Sequence, residues 1–112
     1  MSDVFLYLTT TGRKSGLPRR IEIWFVEHDG NCYVVSERRR EAGWVKNIER
    51  DARVSFSAGT RGARESALAA AAGSARFVEA VTEPELAHRV TALMNEKYGW
   101  SDGLIVELKP NG

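Results

Sequence analysis

Residues 19–36 read RRIEIWFVEHDGNCYVVS, and this stretch decides the fold. Two runs of apolar, β-branched and aromatic residues flank the pair Asp29-Gly30. An Asp-Gly pair between such runs is a strong signal for a two-residue hairpin turn. The pattern predicts one strand over residues 19–27 and the next over residues 32–36.

The register of this predicted hairpin brings two basic segments together. It places Val26 opposite Tyr33 and, continued to the far end, Arg20 opposite Arg39. Like charges directly opposite each other in a sheet repel, so we expect an anion to bind at this end of the hairpin. The alternative is that the strands fray before Arg38 and the arginines extend into water.

The rest of the chain predicts a mainly β (α+β) fold with about six strands in all and two main helices. Beyond the hairpin, strands are predicted over residues 4–9, 52–58, 74–82 and 103–108, and helices over residues 42–51 and 84–98. Residues 59–73 are rich in Gly and Ala and are expected to form a connection with room for a short helix. Both faces of the hairpin are apolar, which favours a sheet closed into a barrel with a helix or partner chain against its outside.

Composition indicates a single domain over residues 1–112. The one cysteine, Cys32, excludes an internal disulfide, and we expect it to be a small core residue of a cytoplasmic protein. The first residues lack the features of a signal peptide, and no run approaches the ~20 apolar residues that span a membrane.

Positive charge is concentrated in two segments of a chain whose net charge is only +1. Residues 13–20 hold four basic side chains and no acid, and residues 37–46 hold four against two acids. This favours one compact anionic ligand over nucleic acid, which needs a broad basic face. The alternative from another functional class is a small interaction module whose basic end binds nucleic acid.

Motifs for other chemistry are missing from the sequence. Residues 12–16, GRKSG, lack the spacing of a nucleotide-binding phosphate loop. The only histidines, His28 and His88, are isolated, so we expect no metal site. No Ser or Cys lies in a nucleophile elbow, and the sequence singles out no catalytic residue.

Several stretches closely resemble the deazaflavin-dependent nitroreductase family. They are residues 8–16 (LTTTGRKSG), 18–20 (PRR), 23–25 (IWF), 33–36 (YVVS), 44–48 (WVKNI) and 53–54 (RV). That family belongs to the split β-barrel flavin and deazaflavin oxidoreductases, which are related to pyridoxamine 5′-phosphate oxidase.

The resemblance implies an FMN-binding-like split β-barrel that forms a homodimer, with the cofactor in a groove at the subunit interface. It implies reduced deazaflavin, coenzyme F-420, as hydride donor to a small acceptor such as a quinone, a nitroaromatic or an activated alkene. In such proteins the cofactor carries the chemistry. FMN on the same fold, or a non-enzymatic flavin- or deazaflavin-binding protein, is the alternative.

The resemblance also implies cofactor-binding residues, carried over by position. They are Lys14 and Arg20 at the tail phosphate, Ser36, Arg38, Arg39 and Arg40 at the phosphate and the ring side, and Trp44 and Asn47 beside the ring.

Overall fold

The computed structural model describes residues 4–60 and 71–111. Its elements are β1 (Val4–Thr11), β2 (Pro18–Ile23), β3 (Val26–His28), β4 (Asn31–Ser36), a 3₁₀ helix (Arg39–Glu41), α1 (Gly43–Arg50), β5 (Arg53–Thr60), β6 (Ala71–Val78), α2 (Pro84–Tyr98) and β7 (Leu104–Pro110). The mainly β expectation is confirmed, but the described residues form seven strands rather than about six. The extra strand arises because the predicted strand over residues 19–27 is broken in two. Most of the segment predicted as a connection lies outside the described residues.

All seven strands belong to one antiparallel sheet with the order β2-β1-β5-β6-β7-β4-β3. β2 and β3 lie at opposite ends of that order, although only Trp24 and Phe25 separate them along the chain. This continuous segment pairs with β1 through its first half and with β4 through its second half. The sheet therefore curls until one segment of chain joins its two ends, which gives a barrel-like shape.

The predicted hairpin register is confirmed close to the turn. Val26 pairs with Tyr33, and His28 pairs with Asn31. Asp29 and Gly30 have φ angles of 51° and 81°. Positive φ at both central residues is what this hairpin turn requires.

Farther from the turn the predicted register is wrong. Arg20 pairs with Thr9 of β1, and Arg39 lies in the 3₁₀ helix beyond the end of β4. The two basic segments therefore do not meet across the hairpin. The turn chemistry fixes only the pairs next to it, and pairing with β1 determines the position of β2.

The sheet buries apolar side chains on both faces. One core cluster lies on the inner face with α1 and includes Leu6, Leu8, Val34, Ile48 and Val106. The other lies beneath α2 and includes Val26, Tyr33, Val35, Val90 and Met94. The alternation of Tyr33, Val34 and Val35 between the clusters explains why both faces of the hairpin are apolar.

Residues at the end of α2 bond to the backbone at the break between β2 and β3. The Phe25 backbone N–H donates to the Tyr98 hydroxyl oxygen (3.1 Å), and that hydroxyl donates to the Phe25 carbonyl (3.0 Å). Lys97 Nζ donates to the same carbonyl (2.8 Å), and the Trp24 ring stacks on the Tyr98 ring at 4.4 Å. Because buried backbone groups need partners, α2 supplies the bonds that neither strand ladder provides.

Replacing Tyr98 with Phe should destabilise the fold while keeping the ring stack. The loss of the hydroxyl leaves the Phe25 N–H without its partner and the Phe25 carbonyl with the bond from Lys97 alone, so the free energy of unfolding should fall by about 1–3 kcal/mol. Urea denaturation measures this. Tyr7→Phe is the matched control, because its partner Glu22 is exposed to water. An equal loss in the two variants would contradict the assigned role of Tyr98.

A charged network joins three neighbouring strands to the start of α2. The Tyr33 hydroxyl and Arg76 Nε donate to the two carboxylate oxygens of Glu107 (2.7 and 2.8 Å). The Arg76 guanidinium also donates to Glu83 (2.6 and 2.9 Å). Burial raises the pKa of Glu107, but the hydrogen bonds from Arg76 and Tyr33 outweigh it and hold that pKa below its usual value. Burial and Glu107 raise the pKa of Tyr33 to about 12.

The stability that Glu107 contributes should depend on pH. Since its pKa is lower in the folded state, the contribution is present above the ordinary glutamate pKa of about 4.3 and is lost as the pH falls through the folded value. The gap in unfolding free energy between the wild type and Glu107→Gln should therefore be larger at neutral pH than in acid. Urea denaturation across this range tests it, with Glu96→Gln on the exposed side of α2 as control. A gap that stays constant with pH contradicts the prediction.

Candidate functional site

A cleft forms where the loop after β1 meets the start of α1, and we call it the basic cleft. Its volume is about 350 Å³, and its lining residues are Gly12, Arg13, Lys14, Ser15, Arg19, Ile21, Gly43, Trp44 and Asn47. Three of these side chains are cationic, and none of the described lining residues is acidic. The cleft therefore suits an anion.

Glycines shape the loop that forms one wall of the basic cleft. The Gly12 N–H donates to the Leu17 carbonyl, and the Gly16 N–H donates to the Gly12 carbonyl, both at 2.8 Å. Gly16 has φ of 73°, in the left-handed region. A Cβ on Gly12 would lie 2.8 Å from Ser15 Oγ. The TTGRKSG sequence thus makes a tight loop between two strands rather than the strand-to-helix phosphate loop of a nucleoside triphosphatase.

Asn47 fixes this loop against α1. It is 5% exposed, and its Oδ1 accepts bonds from the Arg13 backbone N–H (3.2 Å) and from Arg13 Nη1 (2.9 Å). Its Nδ2 donates to Thr10 Oγ1 (3.1 Å), and Arg13 Nη1 also donates to the Gly43 carbonyl (3.3 Å). Asn47 therefore positions the loop, although the resemblance placed it beside a cofactor ring.

Lys14 and Trp44 both line the basic cleft. Lys14 is exposed on the loop and also lines an adjacent groove with Arg50 and Arg53. Trp44 is half-buried, and part of its surface packs against the inner core cluster. The structure brings these two predicted residues together with Asn47.

β2 places its two arginines on opposite faces of the sheet. Arg19 lines the basic cleft together with Ile21. The Arg20 guanidinium lies 4.3 Å from the Tyr7 ring centroid, outside that lining. Arg13 and Arg19 are thus two cations of the basic cleft that the sequence prediction did not include. The sequence held a signal for Arg19, because alternate residues of a strand share a face and Ile21 belongs to the inner one.

Three of the remaining predicted residues line a second cleft, of about 660 Å³, between α2 and the start of β7. Arg38, Arg39 and Arg40 line it. Arg39 lies 2.7 Å from Asp102, and Arg40 lies 2.9 Å from Glu49, so two of these charges are paired. Ser36, which is buried, donates its hydroxyl hydrogen to the Arg39 carbonyl at 2.9 Å. These four residues line no part of the basic cleft.

The other reactive side chains form no site of their own in the described part of the chain. Residues 4–60 and 71–111 contain no cluster of three or more His, Cys, Asp or Glu side chains that could hold a metal ion. Burial, then the charge of Glu27, raises the pKa of the half-buried Cys32 to about 11. Its thiol therefore stays protonated near neutral pH. Within the same residues, no helix has the length and apolar character needed to cross a membrane.

Comparison with solved structures shows the fold class of this protein. It is similar to the heme storage protein HutZ from Vibrio cholerae, with 22% identity and a TM-score of 0.74 over 98% of this chain and 82% of that one. It is similar to a pyridoxamine 5′-phosphate oxidase-like protein from Listeria innocua (13% identity, TM-score 0.68, 96% and 84% coverage). An F420 reductase also matches (16% identity, TM-score 0.68, 99% and 89% coverage). The chain therefore has the fold of pyridoxamine 5′-phosphate oxidase-like proteins.

The family follows from the sequence match. Residues 1–98 match the model of the F420H(2)-dependent quinone reductases, and the chain belongs to that family. The protein is therefore an oxidoreductase, and the resemblance to the deazaflavin-dependent family is confirmed. No protein of curated function matches the chain.

Replacing Asn47 with Ala should loosen the loop of the basic cleft. The substitution leaves the Arg13 N–H and Thr10 without their buried partner, so we expect a loss of about 1–3 kcal/mol in unfolding free energy. Hydrogen exchange of the Arg13 amide should speed up. Lys14→Gln, an exposed change in the same loop, is the control and should leave both measurements unchanged. Slow exchange in Asn47→Ala would show that the loop holds its shape without this residue.

Proposed function

We propose that the protein binds reduced coenzyme F-420 with its phosphate-bearing tail in the basic cleft and transfers hydride to a small acceptor, a quinone in the first place. The family match supports the cofactor and the class of reaction. The observation that carries the assignment to this cleft is its lining, where Arg13, Lys14 and Arg19 meet no acid among the described residues.

The residues of the basic cleft fit a phosphate. Lys14 and Arg19 supply side-chain cations, and arginine can bind a phosphate with two parallel hydrogen bonds. α1 begins at Gly43 without a side-chain cap and without an acidic residue in its first turn. Gly43 and Trp44 line the cleft, so unpaired N–H groups of the helix start lie beside it. Such a helix start favours an anion.

Each residue of the basic cleft has a distinct task in this proposal. Lys14 and Arg19 bind the tail phosphate, and Arg13 with Asn47 holds the loop that carries Lys14. The ring of Trp44 forms an apolar wall beside the cofactor. When bound, the reduced deazaflavin supplies the hydride, so the chain supplies orientation and electrostatics.

In this proposal the arginines of the second cleft also contact the cofactor. Arg38, Arg39 and Arg40 would meet the ring side of the cofactor if the groove is completed by a second subunit, as the family resemblance implies. We therefore propose a homodimer of single-domain split β-barrels, each over residues 1–112, acting in the cytoplasm. FMN in the same groove is the alternative cofactor.

Titration with each cofactor tests the proposal. We expect coenzyme F-420 to bind in the micromolar range, corresponding to about 8 kcal/mol, and FMN to bind more weakly. Menadione should then reoxidise reduced F-420 in the presence of the protein. The return of the deazaflavin absorbance measures this reaction. Tight binding without reoxidation would favour a carrier protein, and tighter FMN binding would favour the alternative cofactor.

A matched pair of arginine variants tests the placement of the tail phosphate. Arg19→Gln should weaken F-420 binding by about 1.5–3 kcal/mol if Arg19 makes a charged hydrogen bond to phosphate. Arg20→Gln, one residue away on the other face of β2, should change the affinity less. Calorimetric titration of both variants measures the difference. A larger loss of affinity in Arg20→Gln than in Arg19→Gln would contradict the proposal. It would indicate that Arg20 contacts the phosphate and that the cofactor binds outside the basic cleft.

A further inference from the structure

A second concave surface, which we call the aromatic cleft, shares no lining residue with the basic cleft. Its volume is about 570 Å³. The residues that give it its chemistry are Phe5, Glu22, Trp24, Glu37 and Trp100. This volume lies in the range of small-molecule sites, about 300–1,000 Å³.

Trp24 provides a rigid and partly open aromatic surface in this cleft. Its side chain is 40% exposed, although burying a large apolar side chain would stabilise the fold by about 1.5–3 kcal/mol. One side of its ring stacks on Tyr98 at 4.4 Å with an interplanar angle of 3°, and Trp100 meets it edge-on at 6.3 Å. Tyr98 is itself fixed by its two hydrogen bonds to Phe25. The ring is therefore held in place while part of it remains available to a ligand.

The charge of the aromatic cleft is opposite to that of the basic cleft. Glu22 and Glu37 line it, and none of its described lining residues is a lysine or arginine. The Tyr7 hydroxyl donates to Glu22 Oε2 at 2.7 Å and helps to fix that carboxylate. Aromatic faces attract cations through their quadrupole, and nearby carboxylates add to this attraction. The same charges repel an anionic cofactor.

We propose that the aromatic cleft is a binding site for a small planar aromatic cation, which stacks on Trp24 with its positive charge toward Glu37 and Glu22. The site is separate from the one that holds the cofactor in the proposed function. A quaternary nitrogen heterocycle has the required shape and charge. An uncharged ring of the same size gains the stacking but not the attraction to the two carboxylates.

Calorimetric titration of the full chain with N-methylquinolinium tests the proposal. We expect one site per chain and an affinity at least about fivefold higher than that of quinoline, which is neutral at the same mildly alkaline pH. Glu37→Gln should weaken binding of the cation about threefold and leave quinoline unaffected. Added salt should reduce the preference for the cation.

Two controls separate this site from general charge effects and from the cofactor site. Glu41→Gln changes an exposed acid that lines the second cleft, so it should leave N-methylquinolinium binding unchanged. The affinity for F-420 should be the same with and without the probe. Equal affinities for the charged and neutral rings, or no effect of Glu37→Gln, would overturn the proposal. Absence of binding would also overturn it, whether the cleft stays empty or a second copy of the chain covers it.

Discussion

The bond pair between Phe25 and Tyr98 is the constraint on which the rest of the structure depends. One segment of chain, β2 followed by β3, joins the two ends of the curled sheet. Its backbone pairing must be interrupted where it passes from β1 to β4. Phe25 lies at this point, and its N–H and carbonyl bond to the Tyr98 hydroxyl. Because the partner comes from the end of α2, the position of the helix and the curl of the sheet are fixed together.

The closure of the sheet also determines which charged side chains lie close together. Once β2 pairs with β1, the loop between them lies over the start of α1, and Asn47 bonds it there. The alternation of β2 then turns Arg19 toward the basic cleft and Arg20 toward Tyr7. The same break leaves Trp24 half out of the core. A basic cleft and an aromatic, acidic cleft are thus two consequences of one bend in the chain.

Much of the fold could be predicted because its signals are local. The Asp29-Gly30 turn and the alternation of apolar residues around it gave correct pairs near the turn. The broken strand could not be read from the sequence, because residues 19–27 are continuously suited to β structure. The strand is broken because its first part pairs with β1 and its second part pairs with β4. The local hairpin pattern does not include β1, so it cannot show this competition. The site shows the same division: Lys14, Trp44 and Asn47 lie together, while Arg38, Arg39 and Arg40 line another cleft.

The sequence by itself determined the mainly β class, the turn, the glycine-shaped loop after β1 and the family of reductases to which the chain belongs. These features depend on residue chemistry that acts over a few positions, or on motifs that can be recognised directly in the sequence. Only the tertiary structure decided that Arg38, Arg39 and Arg40 line a separate cleft, that Asn47 positions the loop, and that Tyr98 closes the sheet. Each of these depends on contacts between residues far apart in the chain, and their geometry exists only after the two ends of the sheet have been joined.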